Sequence, residues 1–414
     1  MKILVLGAAG KIGSALLKDL IRSEGVSEIV AADLKIQGLE KLVRDLGNEK
    51  VQTAQVNAAN KAQLVELMRD GIDVVASAVL SSYQNTATRA AITAGVHFCD
   101  VGQPYEVFKL NEEATTADVT VVPSCGLDPG IDRVCRGYAI GRLDKVFGLY
   151  LWCGGIPPPE QKDDNPINYK ISWAWFRAVS TYLGEAEIIR DGKVVKVPKL
   201  ENPQTIIFPE PIGECEAFMS RAPFDLIEQL NLTDIREAYD TSIRWKGHCE
   251  IWKKLIGLHL TDFEPLPVNM RIQLAPPGSP HKFDTEYLEP PIEISPFEFL
   301  SALGEKYLHY DLEKGEGDLV LLRSKVTGEK NGEPMMISHE LIENYDPETG
   351  VTAMGRTTAY PCSIVAQMIA KGDITERGVV HCGKIGRNPK TAEIYFQELA
   401  KRNINLTETV SRAL

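Results

Sequence analysis

The stretch MKILVLGAAGKIGSALLKDLIRSEG, residues 1–25, changes its hydrophobic period part-way along. Residues 3–6 are an unbroken apolar run, Gly7, Gly10 and Gly13 punctuate the next seven positions, and Ile12, Leu16, Leu17, Leu20 and Ile21 recur at helical spacing. Strand, tight turn and helix in that order predict the first βα unit of a nucleotide-binding sheet. The spacing G-x-x-G-x-x-G is one residue longer than the usual fingerprint, and a plain tight turn would use the same glycines. Context favours the nucleotide reading: the turn opens a helix, and Asp33 follows Gly13 by 20 positions, at the end of the next apolar run. Glycines without side chains let the helix N-terminus approach a pyrophosphate, and a carboxylate at that place accepts ribose hydroxyls while repelling a 2'-phosphate. Gly7, Gly10, Lys11, Ile12, Gly13 and Asp33 are therefore the expected cofactor contacts, with NAD preferred over NADP; Lys35 is close enough to blur that preference.

Working outward, VQTAQVN, GIDVVASAVL, VHFCDVG and VTVVPSCG supply four more apolar runs, alternating with helical segments. Such alternation predicts a doubly wound parallel sheet. Val79, Leu80 and Ser81 follow its fourth strand, where a nicotinamide crevice is expected, and Asp100 ends the fifth. Tyr105 and Lys109 have the Y-x-x-x-K spacing of short-chain dehydrogenases, but they stand too early in the chain and read as a solvated helix face. The break GLDPG presents Asp128, either as a helix N-cap beside Pro129 or as a carboxylate in the cleft, with Asp132 nearby. Beyond Asp144 short alternating strands predict an α+β unit with a mixed or antiparallel sheet. The expected organisation is an α/β Rossmann unit over 1–125, completed by C-terminal helices over 355–414, with an inserted catalytic unit over 126–354. Segments 156–166 and 276–297 read as long loops.

The chain has 414 residues, 44% of them hydrophobic, enough for two cores. A net charge of -12 without a long basic run argues against nucleic-acid or anionic-membrane partners and leaves small metabolites. No apolar run approaches a membrane span, and the N-terminus passes directly into a glycine turn, so a cytoplasmic protein is expected. The eight cysteines contain no C-x-x-C, and the pairs His97/Cys99, His248/Cys249 and His381/Cys382 read as chance neighbours and not as metal ligands.

LGAAGKIG, AGVHFCDVG, GLDPGID, CGGIPPPEQKDDNPINYKISW, IRWKGH and TTAYPCSIVAQMIAKGDITERGV, in that order, resemble the saccharopine dehydrogenase family over nearly the whole chain. The resemblance implies an oxidoreductase acting on a CH–NH group with NAD(P), and a homodimer with the antiparallel sheet as its interface. Saccharopine oxidised at the ε-carbon gives 2-aminoadipate 6-semialdehyde and glutamate. Parts of the pattern are similar to lysine 6-dehydrogenase, which releases ammonia instead, and to carboxynorspermidine-type reductases. A dinucleotide-binding sensor without turnover is the non-enzymatic alternative.

Amine oxidation needs a proton acceptor and a carboxylate near the developing cation, which points to Asp128, with Lys170 and Tyr169 next. An apolar pocket would lower the pKa of Lys170 into the useful range, and Lys170 and Trp173 would face Asp128 across the cleft. Saccharopine carries three carboxylates, for which arginines are the natural binders. The resemblance assigns substrate binding to Trp173, Arg221, Thr241, Ser242 and Arg244; His248 is a further cleft candidate, and Arg177 and Arg356 are weaker ones.

Overall fold

The computed structural model describes residues 1–102, 105–275, 277, 280 and 282–412. Strands β1 (Lys2–Leu6), β2 (Glu28–Asp33), β3 (Val51–Gln55), β4 (Val74–Ser77), β5 (His97–Asp100) and β6 (Thr120–Val122) form one parallel sheet in the order 3-2-1-4-5-6. Residues 3–6 are fully buried because helices cover both faces of the sheet, as a parallel sheet requires. Helices Lys11–Arg22, Ala353–Lys371 and Pro389–Lys401 pack on one face, and Lys61–Met68 and Ser81–Ala94 on the other. The late strand Gly378–Val379 pairs with β6, so the returning chain extends the first sheet as well as covering it.

A nine-stranded mixed sheet is built around β7 (Lys145–Ile156). It runs parallel to Glu237–Trp245 and antiparallel to Leu319–Lys330, with Gly213–Arg221 and Gln204–Phe208 beyond the former and Glu333–Asn344 beyond the latter. Two features differ from the sequence reading. Residues 355–414 do not all return to the first sheet: the strand Thr407–Arg412 pairs with Glu333–Asn344 at the edge of the second. The segment expected to be a long loop over 276–297 contains the strand Phe283–Ile294, paired with Leu266–Leu274 as a separate antiparallel hairpin; positions 276, 278–279 and 281 lie outside the described residues. Prolines misled the reading. Pro290 and Pro291 lie in the stretch where the register jumps from Val268↔Ile292 to Met270↔Tyr287, an irregularity at which a strand tolerates residues that cannot donate to the ladder.

Candidate active site

The glycine turn is shaped for backbone approach. Gly7 has φ +76°, and a Cβ on Gly13 would stand 2.1 Å from the Gly7 carbonyl oxygen. Gly10 caps helix Lys11–Arg22 without a side-chain hydrogen bond, which leaves the helix N–H groups facing outward. The Asp33 carboxylate accepts from Ala9 N (3.1 Å) and Lys35 N (2.9 Å), which fixes it beside the turn. A cradle that a single Cβ would fill, next to an anchored carboxylate, fits a dinucleotide. Val79, Leu80 and Ser81 lie where β4 meets helix Ser81–Ala94, and Arg177, from helix Trp175–Ser180, donates to Ser81 Oγ. Arg177 thus reaches the crevice from the other unit.

Asp128 follows β6 on the turn whose backbone is tied by Gly126 N→Pro129 O and Ile131 N→Gly126 O (both 2.9 Å). Its Oδ1 is 3.7 Å from the Arg221 guanidinium. Burial, then the negative charge of Asp132, pushes its carboxyl up to about 7, against the pull of Arg221. Asp132 stays ionised because Arg133 and Arg136 hold it; they also reach Asp240, and Arg133 forks onto Asp225 at 2.8 and 3.0 Å. Cys153 on β7 is a neighbour that sequence reasoning missed: burial raises its thiol well above its usual range, with Asp128 the largest contributing charge. Asp100, at the end of the fifth strand as the sequence reading placed it, is a second buried acid. Its Oδ1 accepts from Gly102 N (2.8 Å) and Ser124 N (3.0 Å), its Oδ2 is buried without a hydrogen-bond partner among the described residues, and burial pushes it up to about 7.

Gly154 and Gly155 let the chain pass close to β7. A Cβ on Gly155 would lie 2.6 Å from Ser172 Oγ, so the bare strand backbone lets residues 169–172 sit against it. Tyr169 is buried there, with the Arg244 guanidinium 4.9 Å from its ring centre. Arg244 is 2% exposed, donates to Tyr182 OH (3.0 Å) and the Ile243 carbonyl (2.7 Å), and also lies over Tyr182 and Phe218. No carboxylate pairs with it among the described residues.

Several expected roles do not survive this geometry. Lys170 is held by Glu316 (2.8 Å) and Asp164 (3.0 Å), which raise its pKa against burial. It is a paired cation and not a base with lowered pKa, and the carboxylates that hold it are Asp164 and Glu316, not Asp128. Tyr169 is pushed up by burial and stays a neutral phenol. Trp173, half-buried, packs at the margin of the aromatic cluster around Trp175 and Trp252. Thr241 and Ser242 cannot both face the cleft, since neighbours on a strand point to opposite faces. Ser242 shares a face with Asp240 and Arg244, while the Thr241 hydroxyl donates to the Leu151 carbonyl (2.8 Å) on the other. His248 is fully buried between Ile167 O (2.7 Å) and Tyr182 OH (3.0 Å); burial and Arg244 push it down to about 3, so it is a neutral prop behind Arg244. Arg356 pairs with Glu343 (3.3 Å) and bonds the carbonyls of 402 and 403, away from the cleft. Tyr105 bonds Glu228 at the surface, as a solvated face would. No group of three or more His, Cys, Asp or Glu is placed to hold a metal among the described residues. No helix there is long and apolar enough to cross a membrane.

Residues 3–122 match a family model described as "Saccharopine dehydrogenase NADP binding domain", and residues 126–404 one described as "Saccharopine dehydrogenase C-terminal domain". The Schizosaccharomyces pombe saccharopine dehydrogenase [NADP(+), L-glutamate-forming] is 25% identical, over 99% of this chain and 98% of that protein. The Bos taurus mitochondrial alpha-aminoadipic semialdehyde synthase is 22% identical over 95% of this chain, which spans 46% of that longer protein. The apo L-Glu-forming saccharopine dehydrogenase of Saccharomyces cerevisiae superposes with a TM-score of 0.81 at 18% identity, covering 99% of both chains.

Proposed function

This chain belongs to the saccharopine dehydrogenase family, and on that premise we propose that it oxidises the ε-carbon of saccharopine to release 2-aminoadipate 6-semialdehyde and glutamate. The observation that carries the substrate reading is Arg244: a buried guanidinium stacked among aromatic rings, with no carboxylate paired to it among the described residues. A buried charge left unpaired is costly, so the site is stabilised by an incoming carboxylate. Arg221 beside Asp128 and Arg177 at the Rossmann rim bring the guanidinium groups around the cleft to three, against three substrate carboxylates.

Hydride leaves an amine carbon only when the nitrogen lone pair is free, so a proton must first be removed. Asp128, its carboxyl pushed up to about 7, accepts that proton as a carboxylate at neutral pH, and the resulting neutral acid lies beside the iminium that follows, ready to return the proton. Lys170, fully protonated between two acids, does not compete for the role. The nicotinamide, when bound, accepts the hydride. Water then adds to the imine carbon, and the C–N bond to glutamate breaks with return of a proton to the leaving nitrogen.

The cofactor is a nicotinamide dinucleotide. The Schizosaccharomyces pombe relative and the family model over residues 3–122 are named for NADP, whereas an anchored Asp33 disfavours a 2'-phosphate, and we assign NAD as the preferred form on that carboxylate. Eight free cysteines are consistent with a reducing, cytoplasmic setting. The test follows absorbance at 340 nm with NAD and separately NADP, offering saccharopine, lysine and a carboxyalkyl polyamine. Reduction with saccharopine and NAD is expected. Turnover of lysine alone would replace the substrate assignment, and faster turnover with NADP would replace the cofactor assignment.

A further inference from the structure

A polar cleft of about 470 Å³ opens at the end of helix Lys11–Arg22 remote from the glycine turn, about 18 Å along the helix axis from it. It shares no lining residue with that turn, with Asp128 or with Arg244. Helix Ala353–Lys371 forms its floor. Although this helix is buried along almost its whole length, Arg356, Tyr360, Gln367 and Lys371 all line the cleft, at spacings that put them on one face. A polar stripe on a buried helix is costly unless each group finds a partner. Part of this one is satisfied from within the protein. Asp19 accepts from Ser363 Oγ (2.6 Å) and Arg402 Nε (2.7 Å), Gln367 Nε2 donates to Ser23 Oγ (3.1 Å), and Arg356 donates to the carbonyls of Arg402 and Asn403. Among the described residues, however, the Tyr360 hydroxyl and Gln367 Oε1 make no hydrogen bond, no carboxylate pairs with Arg22 or Lys371, and no cation pairs with Glu24. Arg22 also stands one turn from Lys18, whose pKa is pushed down by burial and then by the Arg22 charge. Helix C-termini favour a cation in the last turn, which explains why Arg22 and Lys371 are basic. That effect supplies no partner for the phenol, the amide oxygen or Glu24.

We propose that the cleft is a second ligand site and that it takes an aminodicarboxylate, a free amino acid with two carboxylates and one ammonium group. The charges match in number and sign. Arg22 and Lys371 meet one carboxylate each, and Glu24, at a helix end that favours positive charge, meets the ammonium group. The Tyr360 phenol, raised by burial and then by Asp19, stays protonated and donates to the carboxylate beside Arg22, whose charge also acts on it. Inorganic phosphate would satisfy the two cations but set Glu24 against its own charge, and a monocarboxylic amino acid would leave one cation unmet. The volume suits the class, since a molecule of about ten heavy atoms fits with bridging waters in a pocket of this size. The site stands apart from the reaction proposed above, although glutamate, the product of that reaction, belongs to the class.

Calorimetric titration tests this on the full chain carrying Arg244→Ala, in which the substrate cleft has lost its carboxylate anchor and does not mask the second site. Glutamate should bind, and adding Arg22→Ala or Lys371→Ala should raise its dissociation constant at least about tenfold, with Tyr360→Phe raising it about threefold. Lysine, which lacks the second carboxylate, and inorganic phosphate, which lacks the ammonium group, should each bind at least about tenfold more weakly than glutamate. Absence of glutamate binding, an affinity that Arg22→Ala leaves unchanged, or lysine or phosphate binding as tight as glutamate overturns the proposal. Arg22 and Lys371 are exposed, so neither replacement should move the melting temperature; a lowered melting temperature with Arg22→Ala would assign that residue to the fold and overturn the proposal as well. None of these readouts depends on turnover, so they stand whether or not the chain oxidises saccharopine.

Discussion

At the scale of single residues, Arg244 and Asp128 divide the work between binding and chemistry. Replacing Arg244 by Ala removes a forked, stacked cation, and kcat/KM for saccharopine should fall by about 100-fold, mainly through KM. Arg244→Lys should recover little, because an ammonium neither forks onto a carboxylate nor stacks between Tyr169 and Phe218. Equal loss from kcat with KM unchanged would show that Arg244 does not bind substrate. Asp128 makes a pH prediction of definite sign. Its folded pKa, about 7, lies above the ordinary carboxyl value, so the folded state holds the proton more tightly than the unfolded chain does. Its contribution to stability is full below about pH 4 and is lost as pH rises through about 7. Asp128→Asn should therefore melt higher than wild type at pH 8 and equally at pH 4, while losing the acid limb of the pH–rate profile. A variant that loses stability at pH 8 would mean that Asp128 is held as an ionised partner of Arg221 and not as a raised acid. Lys170 shows why one sequence misleads at this scale: NYKISW reads as an apolar pocket, but one of its two acids, Glu316, stands 146 positions further on.

At the scale of elements, period and local chemistry carried well. The first six strands and the glycine turn follow from apolar runs and punctuation, because a parallel sheet buried on both faces leaves an unmistakable pattern. The turn makes a sharp prediction. Gly13→Ala would place a carbon within 2.1 Å of a carbonyl oxygen; the turn must shift, and dinucleotide affinity measured by fluorescence titration should fall at least about tenfold. Unchanged affinity would refute the pyrophosphate assignment. Helix Ile131–Ile140 was legible as a helix but not as a platform of charge. Asp132, Arg133 and Arg136 are buried on it and meet Asp240 and Asp225 from distant segments, a lattice that no local pattern announces. Removing one partner leaves uncompensated buried charge. Asp240→Asn should cost about 3–5 kcal/mol in urea unfolding, whereas Thr241→Val, one position along and on the opposite face, should cost about 1 kcal/mol and leave KM unchanged. A KM effect from Thr241→Val would overturn the face assignment.

At the scale of the whole molecule, the alternation of helices and strands announced two units, but not how they are tied. The final strand, TETVSR, is mostly exposed and has no hydrophobic period, so nothing local marks it as a partner for Glu333–Asn344. The chain crosses between the two sheets before β7, again between Asn344 and Ala353, and a third time between helix Pro389–Lys401 and Thr407–Arg412. That last crossing is clamped by Glu408, which pairs with the buried His339 at 3.1 Å and with Arg142. A strand that starts from one sheet's helices and ends in the other sheet couples their unfolding. Ending the chain at Asn405 removes this coupling while leaving the glycine turn, Asp128 and Arg244 in place. Calorimetry should then show a broadened or split transition, with the calorimetric enthalpy exceeding the van't Hoff value, where the full chain melts closer to a single step. The truncated protein should still bind dinucleotide. If it melts as one cooperative step at an unchanged midpoint, the terminal strand is an ornament on the second sheet, and the two units are coupled by other contacts between them, among them Arg177 with Ser81 and His381 with Asp225 at 3.2 Å.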